Sequence, residues 1–157
     1  MSSIALERVE APSEEARALI AELDAELSAD YPPEQRHGLS VERVFQPGVL
    51  FFVARLDGEA VGCGGIALEG DWAEVKRMYV RPAARGLQVG RAVLERLEAE
   101  ARARGAQRLV LETGDVRHAA MRLYERAGFT RCPPFGAYAA MPTRAIERSV
   151  FFEKAIG

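Results

Sequence analysis

The apolar positions of this chain follow two different periods, and the changes between them mark the elements. Ile4 to Val9 alternates apolar with polar side chains, which predicts a strand. From Ala16 the spacing lengthens. Ala16, Leu19, Ile20, Leu23 and Leu27 share one face of a helix, opened by Ser13 as N-cap with Glu14 and Glu15 in its first turn. Asp30-Tyr31-Pro32-Pro33 breaks that helix, and Ser40 to Phe45 predicts a short second one ended by Pro47-Gly48. Three consecutive strands follow. Val49 to Leu56 reaches Asp57-Gly58, a strong hairpin signal, and Glu59 to Leu68 returns from it. Glu69-Gly70-Asp71 turns the chain again, and Trp72 to Val80 is the third strand. Gly62-Cys63-Gly64-Gly65 lies inside the second of these, where such glycines predict a bulge or a close backbone approach rather than a nucleotide loop.

The second half alternates helices with strands. Val80 to Gln88 is a loop. Val89 to Arg104 is a helix that turns Val93, Leu94, Leu97 and Ala101 to the core, with Gly105 at its C-terminal cap. Arg108 to Glu112 predicts a short buried strand ended by Thr113-Gly114, and His118 to Ala127 a helix stopped by Gly128. Phe129 to Cys132 begins another strand, Pro133 to Pro142 is a loop rich in Pro, Gly and aromatic residues, and Arg148 to Lys154 closes the sheet. The predicted order is β-α-(α)-β-β-β-α-β-α-β-β. Meandering strands first and helix-linked strands later argue for a mixed α/β (α+β) layered fold rather than a doubly wound parallel sheet.

Composition narrows the function classes. A chain of 157 residues suits one domain over 1–157 with a sizeable core. A formal net charge of −2, without a basic run, gives no sign of a nucleic-acid binder. Cys63 and Cys132 lie far apart, as do His37 and His118, so no metal site is expected. Two buried free thiols fit a reducing, cytoplasmic setting. The N-terminus has no apolar signal core, and no stretch is long enough to span a membrane.

The candidate chemistry centres on Val80 to Leu94, V-R-P-A-A-R-G-L-Q-V-G-R-A-V-L. A strand, a glycine-bearing loop and a helix start make an anion site, because the first N–H groups of a helix have no internal partner and its dipole favours negative charge. Arg85 and Arg91 add charge-assisted hydrogen bonds, and Gly86 and Gly90 allow close backbone approach. A phosphate or pyrophosphate is expected there. It is not a P-loop, since no lysine follows Gly90. Nor is it a dinucleotide fingerprint, since only two of the three glycines are present.

These residues resemble the signature of the GNAT acyltransferases, [QR]-x-x-G-x-[GA], with Arg85 and Gly90 at its ends and Gln88 where its first glycine is expected. L-Y-E-R-A-G-F at Leu123 to Phe129 is similar to a second family hallmark. L-E-T-G at Leu111 to Gly114, P-P-F-G-A-Y at Pro133 to Tyr138 and F-F-E-K at Phe151 to Lys154 resemble a bacterial branch of small-molecule or amino-acid N-acetyltransferases. The element order also resembles the GNAT fold, a mixed, mostly antiparallel sheet flanked by helices.

The resemblance implies acetyl-CoA as co-substrate, a small-molecule amine as acceptor, and direct attack in a ternary complex. It leaves room for a homodimer. It implies that Arg85, Gly86, Leu87, Gln88, Val89, Gly90 and Arg91 hold the pyrophosphate. Met78, Tyr79 and Val80 would then offer a strand edge, freed by a bulge, to the pantetheine arm. It implies Glu74 as proton acceptor, where an ion pair with Lys76 is the structural alternative. Tyr124 would be proton donor to the sulfur, with plain aromatic packing as its alternative. By strand alternation Glu74 should share a face with Lys76, Met78 and Val80. Gln88 could crowd the phosphates or shift the backbone. Arg117 departs from the asparagine the family often has seven positions before the tyrosine. Tyr31, Arg77, Glu112 and Tyr138 are candidates for the acceptor pocket. These features leave two readings open: an N-acetyltransferase, and a non-catalytic acyl-CoA-binding sensor of the same fold, which Gln88 and Arg117 would suit.

Overall fold

The run Val49-Leu-Phe-Phe-Val-Ala-Arg-Leu56 is apolar at successive positions because its strand is covered on both faces. In the computed structural model, which describes residues 3–157, Phe52 and Ala54 pack with one helix layer, and Phe51 and Val53 with the other. Positions 1 and 2 of the expected domain lie outside the described residues. The strands are β1 (Ile4–Val9), β2 (Val49–Leu56), β3 (Glu59–Leu68), β4 (Trp72–Val80), β5 (Arg108–Gly114), β6 (Thr130–Arg131) and β7 (Ser149–Ala155). Among the described residues they form one sheet in the order β1-β2-β3-β4-β5-β7-β6. Every neighbouring pair is antiparallel except β4 with β5.

Helix α1 (Glu14–Asp30) begins as its sequence demands. The Ser13 side chain accepts the Ala16 N–H at 3.1 Å, and Leu19, Ile20 and Leu23 are buried against β2 and β3. A short α2 (Val41–Val44) adds Val44 to that layer. On the other face, α3 (Val89–Ala103) buries Val93, Leu94, Leu97 and Ala101, and α4 (His118–Arg126) buries Met121 and Tyr124. A β-carbon on Gly64 would fall 2.7 Å from Val93 Cγ1 and 2.8 Å from Met78 Sδ, so β3 needs its glycine for α3 to lie this close.

The elements follow the predicted order and depart from the expectation in detail. β5 continues through Thr113 and Gly114, because both pair with β7. The expected loop after Cys132 holds a 3-10 turn, Gly136–Ala140, and a short α5 (Thr143–Ile146). Phe135 and Tyr138 of that segment stack on Phe151 and bury against the sheet. Cys132 is half-buried rather than buried, since it sits just beyond the two-residue strand β6.

Two irregularities place the site. Beyond Glu74, β4 and β5 stop pairing. Their parallel register covers only Trp72 to Glu74 against Arg108 to Val110, after which β4 stays with β3 and β5 with β7. The second is a bulge. Cys63 pairs with Tyr79 and Gly65 with Lys76, so Arg77 and Met78 together stand opposite Gly64. Arg77 takes φ +58°, left-handed backbone that a non-glycine residue rarely adopts. This bulge corrects the expected alternation. Glu74 and Lys76 do share a face, but Met78 and Val80 point to the α3 layer and Tyr79 to the α1 layer, because one extra residue reverses the facing of all that follow.

Candidate active site

Where β4 and β5 part, a cleft of about 750 Å³ opens to solvent, the space at its mouth included. Glu74, Lys76, Arg77 and Met78 of β4 line it, with Glu112 of β5 opposite and Tyr124 of α4 at its inner end. The loop after α1 brings Tyr31, Arg36 and His37, and the segment before β7 brings Tyr138. The four acceptor-pocket candidates, Tyr31, Arg77, Glu112 and Tyr138, therefore line the same cleft as Glu74 and Tyr124.

Glu74 and Lys76 form a nearly buried pair at 3.0 Å, with side chains 11 and 12 % exposed. The Tyr138 hydroxyl donates to the same carboxylate oxygen, Oε2, at 2.7 Å, and Lys76 Nζ lies 3.0 Å from that hydroxyl and 3.2 Å from the His37 carbonyl. Burial, followed by the negative charges of Glu74 and Glu112, pushes the Tyr138 phenol well above its usual range. Glu74 thus holds the ion pair foreseen as its structural alternative. All its hydrogen bonds converge on one oxygen, which leaves Oε1 to the cleft.

Glu112 is fixed differently. Ser149 Oγ donates to its Oε2 at 2.6 Å, and no cation lies within ion-pair distance among the described residues. Burial pushes the Glu112 carboxyl pKa up from its ordinary value, against the pull of the Ser149 hydrogen bond, His37 and Lys76. Arg77 does not face the cleft with a free charge. Its guanidinium reaches back under the bulge to Asp24 Oδ1 at 2.6 Å and to the Ile20 carbonyl at 3.3 Å. That tie pins the strained backbone of β4 to α1.

Tyr124 is more deeply buried than its neighbour Leu123. Its ring packs on Phe129 and Phe152, and burial raises the phenol to about 12. Its hydroxyl has no hydrogen-bond partner among the described residues. Arg117 lines the cleft at the start of α4 and pairs with Glu26 of α1 at 3.2 Å.

The loop before α3 lies apart from this network. From Gly86 to Arg91 no backbone N–H finds an acceptor of good geometry among the described residues. Gly86 sits at φ +83° and Gln88 at φ +70°, both left-handed. Gln88 is exposed and sits in the left-handed backbone that glycine favours. Arg85 turns toward the protein. It donates to the Val80 carbonyl at 2.9 Å and to Glu26 at 2.6 Å. Arg91 pairs with Glu95 on the surface of α3. Gly90 serves helix packing, since a β-carbon there would lie 3.1 Å from Leu123 Cδ2.

Sequence reasoning missed Arg36 and His37 as cleft residues and gave Lys76 only as a partner of Glu74. Arg36 and His37 follow a Pro-Pro break in a polar loop, where no periodicity signals an inward face. The segment Pro133 to Pro142 did carry a usable signal, because Phe135 and Tyr138 among prolines and glycines are aromatic residues that must bury somewhere. No helix of the described residues is long and apolar enough to cross a membrane.

Comparison with known proteins agrees with this architecture. Residues 16–129 match the model of the acetyltransferase (GNAT) family. An IAA acetyltransferase of Azospirillum brasilense is 47 % identical over 138 residues, 87 % of each chain. An N-acetyltransferase of Bacillus subtilis, YsnE, whose own role is uncharacterized, is 36 % identical over 78 % of this chain and 80 % of that one. A Klebsiella pneumoniae structure, provisionally named an acyl-CoA N-acyltransferase, superposes with a TM-score of 0.77 at 36 % identity, covering 98 % of both chains. At 16 % identity the fold is shared with a Thermoplasma acidophilum N-acetyltransferase solved with coenzyme A, at a TM-score of 0.73 over 98 % of this chain and 99 % of that one. The chain belongs to the GNAT family and is one of its N-acetyltransferases.

Proposed function

We propose that the protein moves the acetyl group of acetyl-CoA to a primary amine of a small molecule or amino acid, both substrates being held at once. The observation that carries this reading is the parting of β4 and β5, which gathers an oriented carboxylate and a buried phenol in one cleft. Its residues suit acetyl-CoA at both ends. The free N–H groups from Gly86 to Arg91, at the N-terminus of α3, match a pyrophosphate. The β4 edge at Met78, Tyr79 and Val80 has no partner on the β5 side and suits an extended amide-bearing arm. Two relatives of this fold, from Thermoplasma acidophilum and Salmonella typhimurium, are solved with coenzyme A and acetyl-CoA.

Acetyl-CoA supplies the thioester. Glu74 Oε1 takes a proton from the acceptor's ammonium, directly or through water, and so frees the lone pair that forms the new C–N bond. Lys76 and Tyr138 hold the carboxylate in place by its other oxygen. Tyr124 gives its proton to the sulfur as the C–S bond breaks, and recovers one from the acylated nitrogen. With its pKa near 12 the phenol is protonated throughout the physiological range. Arg85 steadies the loop by tying it to α1 through Glu26. The reading calls on no metal ion.

Thiol release from acetyl-CoA, measured against a panel of primary amines, tests the activity. Glu74→Gln tests the base. Its turnover should fall most below the acceptor's pKa, where the amine is mainly protonated, and the deficit should shrink as pH rises. A pH–rate profile of parental shape and height would remove Glu74 from the mechanism.

A further inference from the structure

The charges around the cleft fall into two groups. Lys76 is matched by Glu74, Arg77 by Asp24 and Arg117 by Glu26. Two opposite charges have no match. The Arg36 side chain makes no hydrogen bond or ion pair among the described residues, and its Nε is closed off from solvent without an acceptor. Glu112 accepts only the Ser149 hydroxyl, from outside the cleft, and forms no ion pair among the described residues. Both line the same cleft, and both are costly to leave alone, because a desolvated charge or donor without a partner loses its hydration for nothing in return. His37 ties the two together. It follows Arg36 in the chain, and its charge would act on Glu112. Lys76 fixes the His37 carbonyl, and the His37 ring is held by the Ala145 carbonyl at 2.7 Å, so the loop presenting Arg36 is anchored.

A ligand that satisfies both must carry a negative and a positive group within one small molecule. We infer that the acceptor is a free amino acid, whose carboxylate is gripped by the Arg36 guanidinium and whose ammonium is first received by Glu112. This rests on the acetyl-transfer reading above and assigns the acceptor class within it. Arg36 suits the task because a guanidinium presents two parallel donors that match a carboxylate. Glu112, across the split from Glu74, holds the ammonium while Glu74 Oε1 takes its proton. Arg36 and Glu112 are binding residues in this scheme and exchange no proton with the acceptor. Leu23, Leu27 and Leu111 supply an apolar wall for the amino acid's side chain.

The test compares L-leucine with L-leucinamide and isoamylamine, which keep the amine and lose the carboxylate charge or the whole group. Thiol release from acetyl-CoA should favour L-leucine in kcat/KM by about 30-fold or more over either analogue. Arg36→Gln should raise KM for L-leucine by a similar factor, leave kcat near the parent's, and leave isoamylamine unaffected. Arg36→Lys, which keeps the charge but not the fork, should fall between. A readout without turnover guards against a folding defect. N-acetyl-L-leucine should raise the melting temperature of the parent and not that of Arg36→Gln, whose unliganded melting temperature should match the parent's. Equal use of L-leucine and its two analogues by the parent would overturn the inference while leaving acetyl transfer intact. So would an Arg36→Gln variant that loses all three acceptors alike. Thiol release with none of a broad amine panel would instead sink the acetyl-transfer reading, and this inference with it.

Discussion

The loop from Arg85 to Arg91 offers donors from consecutive backbone N–H groups, whereas the cleft between β4 and β5 draws its groups from Tyr31, Arg36, Glu74, Glu112, Tyr124 and Tyr138. The first region is local. Its geometry follows from a strand, two left-handed residues and a helix start, and it tolerates Gln88 where the family signature has glycine. The second is assembled from distant segments, and several of its groups are held by neighbours that themselves had to fold into place, as Glu74 is by Lys76 and Tyr138. The difference predicts that the loop withstands side-chain exchange wherever the backbone is preserved, while the cleft responds to the loss of single atoms.

The comparison is sharpened most by Tyr124→Phe, which removes one oxygen from the cleft and keeps the packing on Phe129 and Phe152. A positioned general acid contributes about 10²–10⁴-fold, so turnover should drop by a factor in that range. The melting temperature should hardly move, since the hydroxyl makes no hydrogen bond to lose. With the phenol near 12, the parent's rate should show no descending limb from Tyr124 below that pH, because the acid form is lost only as pH rises through the folded-state value. Parental turnover in the variant, under conditions where chemistry limits the rate, would eliminate the acid role.

An intermediate effect is expected at Gly90→Val, which breaks the comparison if the loop acts through backbone alone. A β-carbon already meets Leu123 at 3.1 Å, so the two further methyl groups must push α3 from α4. Overpacking of this kind costs about 1–3 kcal/mol. Chemical denaturation should show that loss, and calorimetry should show weaker coenzyme A binding as the helix start tilts. Unchanged affinity in a destabilised variant would confine Gly90 to packing. The smallest effect belongs to Gln88→Gly. Left-handed backbone costs a non-glycine residue about 1 kcal/mol, partly offset by the freedom glycine gains in the unfolded chain, so the net gain in stability should be under about 1 kcal/mol. Because Gln88 is exposed and already holds the left-handed backbone that glycine favours, coenzyme A affinity should change little. A large rise in affinity would show that the side chain obstructs the phosphates.

Much of this architecture was legible in the chain itself. The helical face Ala16, Leu19, Ile20, Leu23, the Ser13 cap, the Asp57-Gly58 hairpin and the Val93 to Ala101 face are local patterns, each with a local physical cause, and each folds as its pattern requires. The loop before α3 was legible for the same reason. Periodicity did not reveal that β4 carries a bulge at Arg77 and Met78, since the residues of Trp72 to Val80 suit an ordinary strand equally well. At that bulge the Arg77 guanidinium reaches Asp24 and the Ile20 carbonyl, on a helix more than fifty residues earlier. The bulge reverses the facing of Met78 and Val80, which no alternation rule could foresee.

Sequence alone therefore determined the elements, their order and the glycine-bearing loop before the helix start, because hydrogen bonding and side-chain period act over a few residues. Tertiary structure alone decided which charges meet. Glu74 is matched by Lys76 and Tyr138, Arg85 and Arg117 share Glu26, and Arg36 and Glu112 are left facing a common cleft. The physical reason is that electrostatic pairing depends on distance and burial in space. The divergence of β4 from β5 sets both, and nothing along the chain records them.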